Sequence, residues 1–433
     1  MNEHDSRKII LILKELGFES TDEPENAQLI LFNTCTIREK AHHKAISQIG
    51  RTTIYKERDP NTIIGVCGCV AQQDKESLFD KYPHLDLVFG PDQINKLPEL
   101  LDHAQRKKRG LSVELVNTPE EYTFLDQLPE EVAPASSSFV SIMKGCNCAC
   151  SYCIVPSVRG KEVCRSPEEI VAEIDQLAKL GNREAVLLGQ NVNAYHSKRS
   201  NSSTKDVTFA KLIRLISDET GIDRIRFTSP HPKDVGEDLI LEYGQNEKLC
   251  PHIHLPLQSG ANETLKRMRR GYTRERYIEI VRGLRKASPD ISITTDLIVG
   301  FCGESDADFQ MTFELMEEVE FDSIFAFKYS PRPGTFAYEQ LPDDVEKVVK
   351  EERLEKILAL QRLISMKKNE ALIGKDVEAL VYSLDRMNRG LLTGRMPDNR
   401  IIHFSGNPDL IGDIVPVRVT AAHKNSLAGE MIG

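Results

Sequence analysis

No stretch of this 433-residue chain approaches the ~18 consecutive apolar residues that a membrane-spanning helix requires. The opening residues, MNEHDSRKII, lack the basic-then-apolar pattern of a secretory leader. Both absences set the expectation of a cytoplasmic protein, where disulfides are rare. An excess of positive charge is missing too. The net charge is −10, which argues against a protein that grips nucleic acid with its whole surface. That acidity belongs to the first 370 residues, because Ala371–Gly433 carries Lys and Arg in the same number as Asp and Glu. At 40% hydrophobic and 28% charged residues, the composition is that of a globular protein with ample core, and the length suggests ~2–4 domains.

What is present, and needs a role other than stapling, is a set of ten cysteines. Cys35 stands alone, Cys67 and Cys69 are close together, and Cys146, Cys148, Cys150 and Cys153 share one short segment. The first ~120 residues alternate strand and helix. Apolar runs at Ala27–Asn33, Thr62–Val66 and Leu85–Phe89 read as strands, with helical composition after the first two, over Thr36–Arg51 and Ala71–Tyr82. Such alternation predicts a parallel sheet covered by helices, with ligands at the carboxyl ends of its strands. Cys35 and Cys69 fall at those ends. Each is expected at a helix N-terminus, where the helix dipole lowers a thiol pKa.

Pro129–Ser138 (PEEVAPASSS) has linker composition. Beyond it six further strands are expected, at Phe139–Lys144, Ala185–Gly189, Arg224–Thr228, His252–Leu257, Ile291–Val299 and Ser323–Tyr329, each followed by a helical stretch. Six strand–helix units in series predict a partial (βα)6 barrel whose chemistry lies at the strand C-termini. Ser197–Thr204 reads as a polar insertion and Val345–Glu370 as a long charged helix. DVEALVYS, GLLTGR, RIIHFS and IVPVRVTAAH then predict a small antiparallel β-barrel. The expected fold is therefore α/β with three parts: a parallel-sheet domain over 1–125, a linker at 126–138 and the barrel over 139–370, then the small barrel over 371–433.

KGCNCACSYC, at Lys144–Cys153, holds Cys146, Cys150 and Cys153 in the spacing Cys-x3-Cys-x2-Cys. A 4Fe–4S cluster ordinarily takes four thiolates. Three from one loop leave one iron for an exogenous ligand, which can be the amino and carboxylate groups of S-adenosylmethionine. A structural zinc needs a fourth ligand and usually paired Cys-x2-Cys elements. Cys148 is available as that ligand, but so crowded a loop makes a poor tetrahedral cage.

At this point the chain resembles a known family, the radical S-adenosylmethionine enzymes, and within them the MiaB-type tRNA methylthiotransferases. The likeness runs from end to end, through NTCTIREKAHHK (Asn33–Lys44), GCVAQ (Gly68–Gln72), GCNCACSYCIVPSVRG (Gly145–Gly160), LLGQNVNAY (Leu187–Tyr195), HLPLQSGANETLKRMRRGYT (His254–Thr273), TDLIVGFCGE (Thr295–Glu304) and YSPRPGT (Tyr329–Thr335). The resemblance implies a methylthiotransferase domain with an auxiliary 4Fe–4S cluster, a radical domain, and a C-terminal TRAM domain that holds tRNA. It implies methylthiolation at carbon-2 of an N6-isopentenyladenosine 3′ of the anticodon, using two S-adenosylmethionine per product and an electron donor protein. GQNVNAY separates this branch from the one acting on threonylcarbamoyl-adenosine, which stays as the alternative. An unactivated aromatic C–H has no useful acidity, so a radical route suits the chemistry.

Carried over residue by residue, the resemblance makes Cys146, Cys150 and Cys153 the radical-cluster ligands, and Cys35 and Cys69 two auxiliary ligands. The family's third auxiliary cysteine would stand two positions before Met1, so that ligand is missing from the sequence. Either it precedes Met1 or the cluster has two protein thiolates. Cys67 does not align with the motif and reads as a core thiol. Cys148, Cys164 and Cys302 depart from the family pattern and read as packing variants. Gln190, Asn191, Ser229, Gln258, Ser259, Ile298 and Gly300 are the expected cofactor contacts. Arg267, Arg270, Arg389, Arg395 and Arg400 are the expected tRNA contacts.

Overall fold

The computed structural model describes residues 1–36, 39–118, 121–122, 124, 136–198, 206–385, 388 and 390–432, with the side chains of 39–43 set aside. The chain divides into two compact units. The first comprises Met1–Pro129, Lys144–Cys148 and Cys153–Val163; the second comprises Glu130–Met143, Ala149–Tyr152 and Cys164–Gly433.

In the first unit, β1 (Leu29–Thr34), β2 (Ile63–Gly68), β3 (Leu87–Phe89) and β4 (Gly110–Ser112) form a parallel sheet in that order. Every residue of β2 is buried, as a strand covered on both faces must be. Ile64, Val66 and Val88 feed a core on one face with Ile49 and Leu78. Ile63, Cys67, Leu87 and Phe89 feed the other, with Ile9, Leu97 and Leu100. The helix expected over Ala71–Tyr82 is two short ones, Cys69–Asp74 and Ser77–Lys81, separated at Lys75, whose φ of +49° cannot continue a right-handed helix.

The second unit contains all six expected barrel strands: β5 (Ser137–Ser141), β6 (Glu184–Leu188), β7 (Arg224–Phe227), β8 (His252–His254), β9 (Ser292–Val299) and β10 (Ser323–Lys328). They pair in parallel as β7-β6-β5 and β8-β9-β10, with a bridge between Ile225 and Leu249 joining the halves. Among the described residues β5 and β10 do not pair, so the barrel is open on one side. The first covering helix, Pro167–Lys179, starts and stops where its sequence dictates. Ser166 Oγ accepts the Glu169 N–H at 3.3 Å, Pro167 takes the first helical position, and Gly181 follows with φ +91°.

The long helix Lys347–Glu370 leads to β11 (Asp376–Leu384), β12 (Leu391–Arg395), β13 (Ile401–Ser405), β14 (Ile414–Ala422) and β15 (Leu427–Met431). These close in the order β11-β12-β13-β15-β14. The expected small antiparallel barrel is present, with two features the sequence reading did not include. There is a fifth strand, and β13 pairs with β15 in parallel. The second fact follows from the first, because an odd number of strands cannot alternate in direction around a closed ring. A buried seam fastens this small barrel to the amino-terminal ends of the larger barrel's strands. Glu184, the first residue of β6, accepts from Arg226 Nε and Tyr382 Oη. Arg226 also donates to the Met396 carbonyl at 2.7 Å and the Pro397 carbonyl at 2.8 Å. Arg400 donates to Asp322, just before β10, at 2.6 Å. The carboxyl ends of the strands are left for chemistry.

Candidate functional site

The cysteine segment contributes to both units, and each part has its own support. In the first unit Gly145 has φ +75°, and a Cβ there would stand 1.9 Å from the Lys161 carbonyl oxygen. Behind it Lys144 is buried against Asp92, with the Tyr122 ring 4.7 Å from its Nζ. Cys146 N–H donates to the Gly160 carbonyl at 3.1 Å, and Cys146 Sγ accepts the Cys148 N–H at 3.4 Å. Hydrogen bonding from Cys148 holds the Cys146 thiol below its usual pKa, against burial and the nearby Cys153. Gly145→Ala is expected to unseat this turn and lower iron per chain by about half after anaerobic reconstitution, since it combines a left-handed φ with a backbone collision at one of two proposed clusters.

In the second unit Cys150 Sγ accepts from Arg270 Nη1 at 3.3 Å and lies 3.9 Å from His231 Nε2. Burial, then Arg270 and Lys233, push His231 down to about 2, so it is a neutral imidazole at any working pH. Arg270 is itself buried and also donates to the Pro256 carbonyl at 2.9 Å. A guanidinium N–H aimed at a sulfur makes a charge-assisted hydrogen bond once that sulfur is a metal-bound thiolate.

The expected cofactor contacts collect at the carboxyl ends of consecutive strands. Ser229 after β7, Gln258 after β8 and Gly300 after β9 have φ of +59°, +70° and +68°. Left-handed backbone at non-glycine residues is strain of the kind stored at binding sites. Gln190 Oε1, after β6, is buried without a hydrogen-bond partner among the described residues. Asn191 Nδ2 donates to Asp234 at 2.9 Å. Ile298 lies in β9, its N–H donating to the Gln258 carbonyl at 2.9 Å. Ser259, fully buried, accepts the Ala261 N–H on its Oγ at 3.3 Å, a local turn contact. An orphaned acceptor and a row of strained strand ends fit an amino-acid-bearing cofactor, and the Cys-x3-Cys-x2-Cys thiols, with N–H support at Cys146 and Cys150, fit an iron–sulfur cluster.

Cys35, Cys67 and Cys69 lie in the first unit. Cys67 is 1% exposed in the β2 core, and burial drives its thiol far up. Cys69 opens the helix Cys69–Asp74 and is buried against Ile154 and Val158. Here the dipole expectation fails. Burial pushes the Cys69 thiol up and outweighs the opposing pull of Arg159. Arg159 Nε donates to Cys69 Sγ at 3.3 Å, and Nη2 donates to Asp5 at 2.7 Å. Cys35, just past β1, lies close enough to Cys69 to raise its pKa further.

The arginines chosen as tRNA contacts are mostly committed inside the protein. Arg270 is held by Cys150, and Arg400 by Asp322, Asp398 and Asn369. Arg267 donates to Thr264, the Gly303 carbonyl and Asp308. The Arg395 guanidinium lies over the Tyr382 ring, 4.6 Å from its centroid. Arg389 lies outside the described residues. Buried or paired guanidinium groups are poor phosphate contacts, so Arg270 and Arg400 are reassigned to the scaffold.

Sequence reasoning passed over three residues on the inner wall of the open barrel. His254 Nε2 stands 3.4 Å from Asp296 Oδ2, and the His254 ring packs edge-on against Phe325, 6.1 Å between centroids. Phe325 pairs in register with Asp296 and is 48% exposed. His254 and Asp296 both sit in the quoted motifs; strand parity would have put them on the inner face.

Family models match three stretches of the chain: the radical SAM superfamily over residues 140–316, uncharacterized protein family UPF0004 over 1–90, and the TRAM domain over 370–432. Two similar curated proteins are both described as tRNA-2-methylthio-N(6)-dimethylallyladenosine synthase. The one from Syntrophotalea carbinolica is 42% identical over 434 residues, covering 100% of this chain and 97% of the relative. The one from Syntrophus aciditrophicus is 45% identical over 432 residues, covering 100% and 92%. Among solved structures, the radical S-adenosylmethionine methyltransferase TsrM from Kitasatospora setae has the same fold, with TM-score 0.55 and 15% identity over 77% of this chain and 74% of that one.

Proposed function

The chain belongs to the tRNA-2-methylthio-N(6)-dimethylallyladenosine synthase family, and from that premise we propose that it methylthiolates carbon-2 of an N6-isopentenylated adenosine 3′ of the anticodon in tRNA. The observation that carries this reading is Cys150. It is the middle thiol of Cys-x3-Cys-x2-Cys, held by Arg270 beside strained strand ends of an open six-stranded barrel.

When bound at Cys146, Cys150 and Cys153, a 4Fe–4S cluster supplies the one-electron chemistry that cleaves S-adenosylmethionine, with the electron coming from a donor protein. The protein's own share is positioning. Arg270 donates to Cys150 Sγ and orients it, and His231, neutral and buried, adds no competing charge. Gln190, Asn191, Ser229, Gln258, Ser259, Ile298 and Gly300 line the carboxyl ends of the strands where the cofactor would lie. The exposed Phe325 ring, with His254 and Asp296 beside it, offers the flipped-out base a stacking face and a polar edge. Cys35 and Cys69 are the thiols proposed for a second 4Fe–4S cluster, the source of the transferred sulfur. The TRAM barrel is proposed to hold tRNA.

The test is mass analysis of nucleosides from tRNA treated with the anaerobically reconstituted protein and S-adenosylmethionine. The expected product gains one methylthio group on isopentenyladenosine, while threonylcarbamoyl-adenosine stays unchanged. Modification of the latter alone would transfer the chain to the alternative substrate, and 5′-deoxyadenosine without any modified nucleoside would sink the substrate assignment.

A further inference from the structure

Arg159 ends the short helix Val155–Arg159, only six positions after Cys153, and is 6% exposed. A guanidinium so placed has given up its hydration, which costs several kcal/mol unless its surroundings offset it. Asp5, also buried, neutralises it in part through the 2.7 Å contact to Nη2. The other well-placed donor, Nε, points at Cys69 Sγ from 3.3 Å. A neutral thiol is a weak acceptor for a buried guanidinium N–H. The contact becomes a strong one only when the sulfur carries negative charge without a proton, which is the state of a metal-bound thiolate.

We infer that Arg159 is a positioning residue of the second metal site, aiming Cys69 and setting the electrostatics of whatever iron it binds. The inference rests on the proposed second cluster at Cys35 and Cys69. The second unit repeats the device independently, with Arg270 on Cys150 at the same 3.3 Å. Hydrogen bonds and positive charge at cluster sulfurs stabilise the reduced form, so they raise its potential. Arg159 touches neither substrate nor reacting atoms and acts through Cys69.

The experiment uses the full chain carrying Cys146→Ala, Cys150→Ala and Cys153→Ala, so that iron loads at the second site. After anaerobic reconstitution this background should hold about four iron and four sulfide. Adding Arg159→Met is expected to shift the midpoint potential of the EPR-monitored titration to more negative values, or to empty the site while the metal-free protein melts at the same temperature. Arg159→Lys, which keeps the charge, is expected to recover iron and potential in part. Equal iron and an equal midpoint in the Arg159→Met chain would overturn the inference, as would a Lys variant no better than Met. Should Arg159→Met fail to fold, Asp5→Asn decides. It leaves the Arg159–Cys69 contact and strips the counter-charge, so the midpoint should rise, and an unmoved midpoint overturns the inference. A background chain that binds no iron would remove the second cluster and this inference together. Formation of 5′-deoxyadenosine by the unsubstituted chain is independent of that outcome.

Discussion

Cys150→Ala is expected to remove 5′-deoxyadenosine formation and methylthiolation together, by well over ~100-fold. Mutating groups that merely support a metal ligand already costs ~10–100-fold, and this substitution deletes a ligand itself. Iron should fall from about eight to about four per chain, because only one cluster is affected. The side chain is half-buried and small, so the melting temperature of the metal-free protein should hardly move. Arg270→Met is expected to fall between, keeping the ligand and losing its N–H support. Undiminished 5′-deoxyadenosine formation by the Cys150→Ala chain would end the radical reading.

Glu184→Ala is expected to be the most destabilising single change away from the cysteines, by about 3–5 kcal/mol in chemical denaturation. Burial pushes the Glu184 carboxyl up, and Arg226 with the Tyr382 hydroxyl pulls it below its ordinary value, so it is a charged partner in a dry seam. Truncation leaves the Arg226 guanidinium buried with only the Met396 and Pro397 carbonyls, and leaves Tyr382 without its acceptor. The small barrel should then loosen from the larger one, visible as new protease cleavage near the Lys347–Glu370 helix. Glu184→Gln keeps acceptor geometry and should lose less. A loss under about 1 kcal/mol for the Ala variant would mean that the seam contributes little.

Much of this architecture could be read from the chain because its signals are local. The six apolar runs from Phe139 to Tyr329, the Ser166–Pro167 helix start and the Cys-x3-Cys-x2-Cys spacing each occupy a few adjacent residues. The fifth small-barrel strand, LAGEM, escaped because two of its five residues are Ala and Gly and it has little alternation. The two sulfur-contacting arginines escaped for a different reason. Arg270 meets Cys150 across 120 residues and Arg159 meets Cys69 across 90, so no local pattern marks either as a sulfur partner. In the basic run RMRRGY, Arg270 looks like a phosphate contact. At Cys69 the helix start was real, but the local dipole was outweighed by burial, which only the folded chain reveals.

The small barrel sits against the amino-terminal ends of the strands, whereas Cys150 and its neighbours sit at the carboxyl ends. A strand of six residues rises ~20 Å, so an RNA gripped at one end must present its reacting nucleotide about that far away. On the proposed function, the edges of β5 and β10, unpaired among the described residues, are where a nucleotide would enter from the side. A ring completed by two more strands would bar that route.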